Sequence, residues 1–191
     1  MCLYGRNSRP LLQFLEFSSN PVIPLISANP ENCSALLQKL GIELKVNEKW
    51  RTYLDLNQDE KRKLVSGLVC HLIDLGMEKK AEKLIGFTYS LLSESVESPL
   101  YDLKQFSTLI NSCSRHDLNE IALKVCLGDR NENYFKMLSM WVQHRKALSE
   151  GLQKVLGLGI KENDFFSWFE LDEIEETIVG IIAGMIYGSG K

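Results

Sequence analysis

The chain has 191 residues, of which 45% are hydrophobic and 25% charged, a composition that is typical of globular proteins and argues against intrinsic disorder. Its 22 basic and 25 acidic side chains give a net charge of −3, which excludes a broadly basic protein that coats nucleic acid but allows a local basic patch. The sequence has neither an apolar run of ~18 residues nor an apolar N-terminal segment. We therefore expect no transmembrane helix and no secretory signal.

The first half of the chain predicts a series of short helices. Ser8 is the expected cap of the first helix, ahead of a proline that suits its first turn. Asn29 and Asn57 are the expected N-caps of the second and third helices. The third helix carries an apolar stripe up to a break at Gly76, and the pattern then predicts a fourth helix over about 78–92. The short joint at Gly76 favours an antiparallel helical hairpin.

The second half predicts longer helices and one strand. A helix is expected to open at Ser98, and Asp117 is the expected cap of a short helix that follows it. Residues 131–155 predict one long helix, whereas residues 164–171 are dense in aromatic side chains and predict a strand. The predicted fold class is therefore mainly α, a multi-helix bundle with one short β element.

The closing helix contains two glycines four residues apart. Gly180 and Gly184 would share one face of this helix and permit the close approach of a neighbouring element. Each glycine costs roughly 1 kcal/mol of helix stability relative to alanine, so a packing role would explain their presence.

The cysteines and histidines are scattered, and no CxxC motif is present. This distribution argues against a zinc site and against a disulfide framework, and it indicates reduced thiols and a cytoplasmic location. Three of the five cysteines lie in apolar surroundings and are predicted to be core residues. These are Cys70, Cys113 and Cys126.

Two arginines lie at predicted helix junctions. Arg115 and Arg130 each stand beside small or turn-forming residues, where an arginine and the N–H groups of a helix start could bind a phosphate. Either arginine could instead cap helix carbonyls or pair with Asp117 or Asp129. The residues alone leave both interpretations open.

Two stretches in the centre of the chain resemble a known family. Residues 106–115 read FSTLINSCSR, and residues 121–130 read IALKVCLGDR. They resemble the archaeal RecJ-like members of the DHH phosphoesterase family, in which an Asn-Ala-Cys-Gly-Arg stretch precedes a Cys-Leu-Gly-Asp-Arg stretch. The sequence departs from this pattern at Ser112 and Ser114, where the family has Ala and Gly. A glycine at the second position would permit close backbone approach to a ligand.

The resemblance implies a manganese-dependent phosphodiesterase family whose members are single-strand-specific exonucleases in DNA repair and replication. The Asp-His-His triplet that gives the family its name is absent from this chain. We therefore expect no catalysis and no cofactor in this chain, while Mn²⁺ is expected for the full-length family. The implied divisions are residues 1–28, a linker and first helix leaving a DHH domain; 29–97, a helical insertion; and 98–191, a helical region leading to a DHHA1 domain.

The leading hypothesis is a non-catalytic helical segment of a RecJ-like nuclease that helps guide single-stranded DNA or RNA. Asn111, Arg115 and Arg130 are the predicted contacts to the nucleic-acid backbone. The alternative is a protein-interaction module that docks a replication complex such as GINS. A third hypothesis is a free-standing enzyme of unrelated chemistry. No membrane partner is expected.

Overall fold

The computed structural model describes residues 1–172 and 174–188, with side chains up to residue 186. Its helical content confirms the predicted mainly α fold class. The chain divides into two compact units, Met1–Phe106 and Ser107–Lys191. The sequence also predicts a division of the chain after residues 28 and 97. This division refers to the domains of a larger protein, and it stays a prediction.

The first unit consists of short helices and one hairpin. Its elements are α1 (Leu11–Glu16), α2 (Pro30–Lys39), β1 (Lys45–Val46), β2 (Lys49–Trp50), a 3₁₀ turn (Tyr53–Asp55), α3 (Gln58–Asp74) and α4 (Glu78–Glu82). Helix α5 (Leu103–Arg115) begins in this unit and ends in the second. The elements of the second unit are α6 (Asn119–Cys126), α7 (Glu132–Leu158), β3 (Lys161–Glu162), β4 (Ser167–Trp168) and α8 (Glu176–Gly188).

Two of the predicted helix caps are confirmed. The Asn29 side chain accepts a hydrogen bond from the Asn32 amide at 3.0 Å, and the Asn57 side chain accepts one from the Glu60 amide at 2.9 Å. Glu60 completes a capping box, because its carboxylate accepts a bond from the Asn57 amide at 2.8 Å. Such caps each stabilise a helix by about 1 kcal/mol.

The caps predicted at Ser8 and Asp117 are wrong. Helix α1 follows Pro10 and has no side-chain cap. Asp117 adopts a left-handed conformation with φ +55°, and the next amide, that of Leu118, donates to the Cys113 carbonyl at 2.9 Å. This bond is the one that closes the C-terminus of a helix, so Asp117 ends α5 instead of capping α6.

The fourth predicted helix is also much shorter than expected. Helix α4 ends at Glu82, and the side chains of Ile85, Tyr89 and Leu92 are exposed. The chain beyond α4 consists mainly of turns and bends, and Ser90 forms an isolated antiparallel bridge with Asp102. The helix predicted to open at Ser98 therefore begins only at Leu103.

The core of the first unit lies between its helices. It contains the apolar stripe of α3 that the sequence predicts, formed by Leu64, Leu68 and Leu72, together with buried side chains of α1 and α2. Cys33 is buried in this core, and its burial, with a smaller effect of the Glu16 charge, raises the pKa of the thiol to about 11. The predicted burial is confirmed for Cys113 but wrong for Cys70 and Cys126, which are exposed.

In the second unit the close helix approach occurs at a glycine other than the predicted ones. A Cβ atom placed on Gly151 of α7 would lie 2.4 Å from the Ile182 Cδ1 atom of α8. A Cβ atom placed on Gly180 or Gly184, in contrast, would have no neighbouring atom of the described residues within 4 Å. The predicted packing role of Gly180 and Gly184 is wrong for the described part of the chain.

The β structure consists of two short hairpins. β3 pairs with β4, and β4 lies inside the predicted strand at 164–171. β1 pairs with β2 in a segment whose pattern predicts no clear element. Its two-residue turn has positive φ at Asn47 and Glu48, 49° and 62°, as a type I′ turn requires. The sequence lacks the Asn-Gly pair that normally reveals such a turn.

Candidate functional site

The last two turns of α5 carry two of the three predicted nucleic-acid contacts. Asn111 and Arg115 are both exposed and lie one helical turn apart on the same face. Ser112, between them in sequence, is buried, and its hydroxyl donates to the Leu109 carbonyl at 2.7 Å. The sequence of α5, LKQFSTLINSCSR, contains no acidic residue. The exposed end of α5 therefore offers hydrogen-bond donors without a competing carboxylate on the same helix.

Arg115 also connects α5 to the start of α8. Its Nη1 donates to the Thr177 carbonyl at 3.3 Å, and the Thr177 hydroxyl donates to the Arg115 carbonyl at 2.6 Å. A guanidinium group has five N–H donors, and this long bond engages one of them. The side chain is exposed and so can donate to a further acceptor.

Arg130 lies between α6 and α7, and its guanidinium caps helix carbonyls. Its Nη1 donates to the Val125 carbonyl at 2.6 Å and to the Asp129 carbonyl at 2.8 Å. This geometry matches the carbonyl-capping alternative that the sequence left open. The Asp129 carboxylate accepts bonds from Asn133 Nδ2 and the Asn131 amide, and these two bonds lower its pKa. Arg130 and Asp129 thus both order the junction between the helices.

A histidine pair lies next to Arg115. His116 Nδ1 donates to a Glu175 carboxylate oxygen at 2.6 Å, and His116 Nε2 lies 3.1 Å from His144 Nδ1. The sequence gives no signal for this cluster, because its members lie on three separate segments. Burial is the main cause that lowers the pKa of His144, and the charges of His116 and Arg115 lower it further. The cluster attaches the residues before α8 to α5 and α7.

The first unit contains a buried polar junction around Arg6. The Arg6 Nε donates to the Asp102 carboxylate, and both side chains are less than 10% exposed. The same guanidinium donates to the hydroxyls of Thr88 at 2.6 Å and Ser90 at 2.9 Å. The side chain of Asn7 donates to the Val96 carbonyl at 3.0 Å. We call the arrangement of Arg6, Asp102, Thr88 and Ser90 the Arg6 junction.

The Asp102 carboxylate has a second role, which determines where α5 begins. Its other oxygen accepts a hydrogen bond from the Lys104 amide at 2.8 Å, in the first turn of α5. The helix therefore starts beside the carboxylate that neutralises Arg6. Neither residue carries a recognisable signal in the sequence, because they lie 96 positions apart.

The described residues do not fit the manganese ion that the family resemblance implies for the full-length protein. In residues 1–172 and 174–188, no three His, Cys, Asp or Glu side chains are grouped as a metal site requires. His116 uses both ring nitrogens for Glu175 and His144.

Part of the chain matches a known protein family. Residues 3–85 match the family model of the DHH-CID domain, which covers most of the first unit. The match covers less than half of the chain. It makes residues 3–85 similar to this domain and supports a relation of the first unit to the DHH family. No curated protein matches the chain. Within the described residues, no helix is both long and apolar enough to cross a membrane.

Removing the charge of Asp102 tests the Arg6 junction. We expect Asp102→Asn to lower the free energy of unfolding by about 3 kcal/mol or more, because it leaves a buried guanidinium without its counter-charge. Urea denaturation of the full chain measures the change. The control is Asp59→Asn, which removes an exposed carboxylate paired with Arg62 at 3.7 Å. That variant should change stability by less than ~0.5 kcal/mol, and equal effects of the two substitutions would contradict the junction's role.

The lowered pKa of His144 predicts a loss of stability in acid. Below the ordinary value of 6.5, the unfolded chain binds a proton at this residue more readily than the folded chain does. Stability should therefore fall as the pH drops below 6.5, and this contribution should be constant above it. We expect His144→Gln to flatten the stability profile measured by urea denaturation between pH ~8 and ~5. An unchanged profile would contradict this assignment.

Proposed function

We propose that the chain is a non-catalytic helical segment of a RecJ-like single-strand exonuclease, which helps guide single-stranded DNA between the catalytic and DHHA1 domains. Such a role belongs to DNA repair or replication in the cytoplasm. The DHH-CID match supports the family context. The observation that carries the guiding role is that Asn111 and Arg115 are both exposed on one face of α5, a helix whose residues 103–115 include no acid.

The proposed phosphate contact at this end of α5 depends on the positive charge of Arg115. A phosphate is attracted by the Arg115 charge, and it can accept additional bonds from the Asn111 amide one turn earlier. Glu175, on a neighbouring segment, accepts a bond from His116 at 2.6 Å. Asp117, two residues after Arg115, is exposed, so solvent and salt screen its charge. The whole chain has a net charge of −3, so binding would be confined to this local surface.

Arg130 differs from Arg115, because it also has a structural role. Its bonds to the Val125 and Asp129 carbonyls stabilise the end of α6, and a phosphate contact by Arg130 is part of the same proposal. Replacement of Arg130 should therefore disturb folding as well as binding. Arg115 is the sharper probe, because it is exposed and ends its helix.

Salt-dependent binding tests the guiding role. We expect Arg115→Gln to weaken binding of the full chain to fluorescein-labelled oligo(dT) several-fold and to reduce the salt slope by about 0.7, the value for one single-strand phosphate contact. Asn111→Ala should weaken binding without changing the slope. The control is Arg62→Gln, which removes an exposed charge from α3. If Arg115→Gln behaves as Arg62→Gln does, the guiding role is wrong. Oligo(U) in the same assay distinguishes RNA from DNA.

A second candidate function rests on exposed apolar side chains between α4 and α5. Phe87 is 90% exposed, and Leu92 is 87% exposed. Hydrogen bonds from Arg6 to Thr88 and Ser90 fix the intervening chain. Ordered and exposed apolar side chains are typical of protein-binding surfaces. We propose as the alternative that this segment docks a replication complex such as GINS.

The alternative predicts a different response to salt. Purified GINS should bind the full chain with an affinity that changes little at moderate salt, and Phe87→Ser should weaken this complex about tenfold. The control is Phe17→Ser, an exposed phenylalanine at the end of α1. Equal losses for the two variants, or no binding of GINS, would contradict this alternative.

A further inference from the structure

The β3–β4 hairpin is attached to the core of the second unit at its base. Ile160, immediately before β3, and Phe169, immediately after β4, pack against the buried Val155 and Ile182. Lys161 and Trp168 are paired in the register of the two strands. Both ends of the hairpin are thus held by apolar contacts, so its turn has a defined position within this unit.

The turn itself is fixed by hydrogen bonds. The Asn163 side-chain oxygen accepts bonds from the amides of Phe165 and Phe166, each at 2.9 Å. The Asn163 amide donates to the Phe166 carbonyl at 3.1 Å. An asparagine that binds the backbone two and three residues ahead is a standard means of stabilising a turn. The aromatic residues of the turn are therefore presented on an ordered backbone.

These aromatic side chains contribute little to the core. Phe165 is 91% exposed and Phe166 is 59% exposed, while the Phe166 ring lies 5.3 Å from that of Trp168. Because Phe165 is almost fully exposed, it gains almost no hydrophobic stabilisation from burial within this chain. Aromatic side chains that are held on an ordered backbone and exposed in the free protein are typical of binding hot spots. We call Phe165, Phe166 and Trp168 the aromatic tip.

The charges around the aromatic tip indicate which partner fits. Residues 161–172 contain one lysine and four acids. The lysine, Lys161, is paired with Glu170 at 3.3 Å, whereas Glu162 and Asp164 flank the turn and are exposed. This negative rim repels nucleic-acid phosphates and anionic lipid headgroups. It attracts a surface that carries lysine or arginine.

We propose that the aromatic tip inserts into an apolar pocket of a partner protein, and that basic residues surround this pocket. Phe165 and Phe166 fill the pocket, while Glu162 and Asp164 pair with the basic rim. Because the turn is ordered before binding, the complex loses little conformational entropy there. The proposal does not depend on the end of α5 or on the segment between α4 and α5, since both are separate surfaces.

Photo-cross-linking identifies the occupant of the tip. The full-length protein with Phe165→p-benzoylphenylalanine is expressed in cells of its source and irradiated, and the cross-linked peptide is sequenced by mass spectrometry. We expect one partner protein, cross-linked at an apolar site whose neighbouring sequence or surface contains Lys or Arg. A cross-link to a second copy of this chain, to nucleic acid or to lipid would overturn the proposal, as would the absence of any cross-link.

Binding measurements with the purified partner then test the residues separately. Phe165→Ser should weaken the complex at least tenfold, as loss of a hot-spot residue does. The matched control is Phe135→Ser, which removes a phenylalanine that is 65% exposed on α7; it should leave the affinity unchanged. Asp164→Lys should slow association and reduce its salt dependence. Equal losses for Phe165→Ser and Phe135→Ser, or no effect of Asp164→Lys, would overturn the proposal.

Discussion

The buried ion pair of Arg6 and Asp102 is the constraint on which the first unit depends. Both side chains are almost fully buried, and an unpaired charge at such a site would cost several kcal/mol. The pair joins residues 96 positions apart, so the chain after α4 must return to the N-terminal segment. Because Asp102 also binds the Lys104 amide, the same carboxylate determines where α5 begins. One electrostatic requirement thus fixes both the loop and the following helix.

This constraint explains why apolar side chains stay exposed between α4 and α5. The guanidinium of Arg6 binds Thr88 and Ser90, which holds the intervening backbone in an extended form. A helix over this segment would break these bonds, although its apolar spacing is compatible with a helix. Phe87 is therefore presented to solvent on an ordered chain. The bonds of Arg6 to Thr88 and Ser90 thus both shorten α4 and create the exposed apolar surface that the GINS-docking alternative requires.

The second unit combines a tight helix contact with polar and aromatic surfaces. Gly151 allows α7 to approach Ile182 of α8, and this contact lies in the same region as the residues that anchor the β3–β4 hairpin. His116 joins the chain before α8 to His144 of α7. The unit thereby holds two different surfaces, the face of α5 that exposes Asn111 and Arg115 and the negatively charged rim of the aromatic tip. Their electrostatics favour different ligands, so their proposed roles can be tested independently.

The sequence by itself determined the features that depend on neighbours within one or two helical turns. The caps at Asn29 and Asn57, the apolar stripe of α3 and the long helix α7 follow from local spacing. Only the tertiary structure decided the end of α4, because Arg6 binds its loop from a distant position. It also decided the pairing of His116 with His144, since these residues share no local pattern. Hydrogen bonds between residues close in sequence can be predicted from residue spacing. The partner of a buried charge, in contrast, depends on how the helices pack.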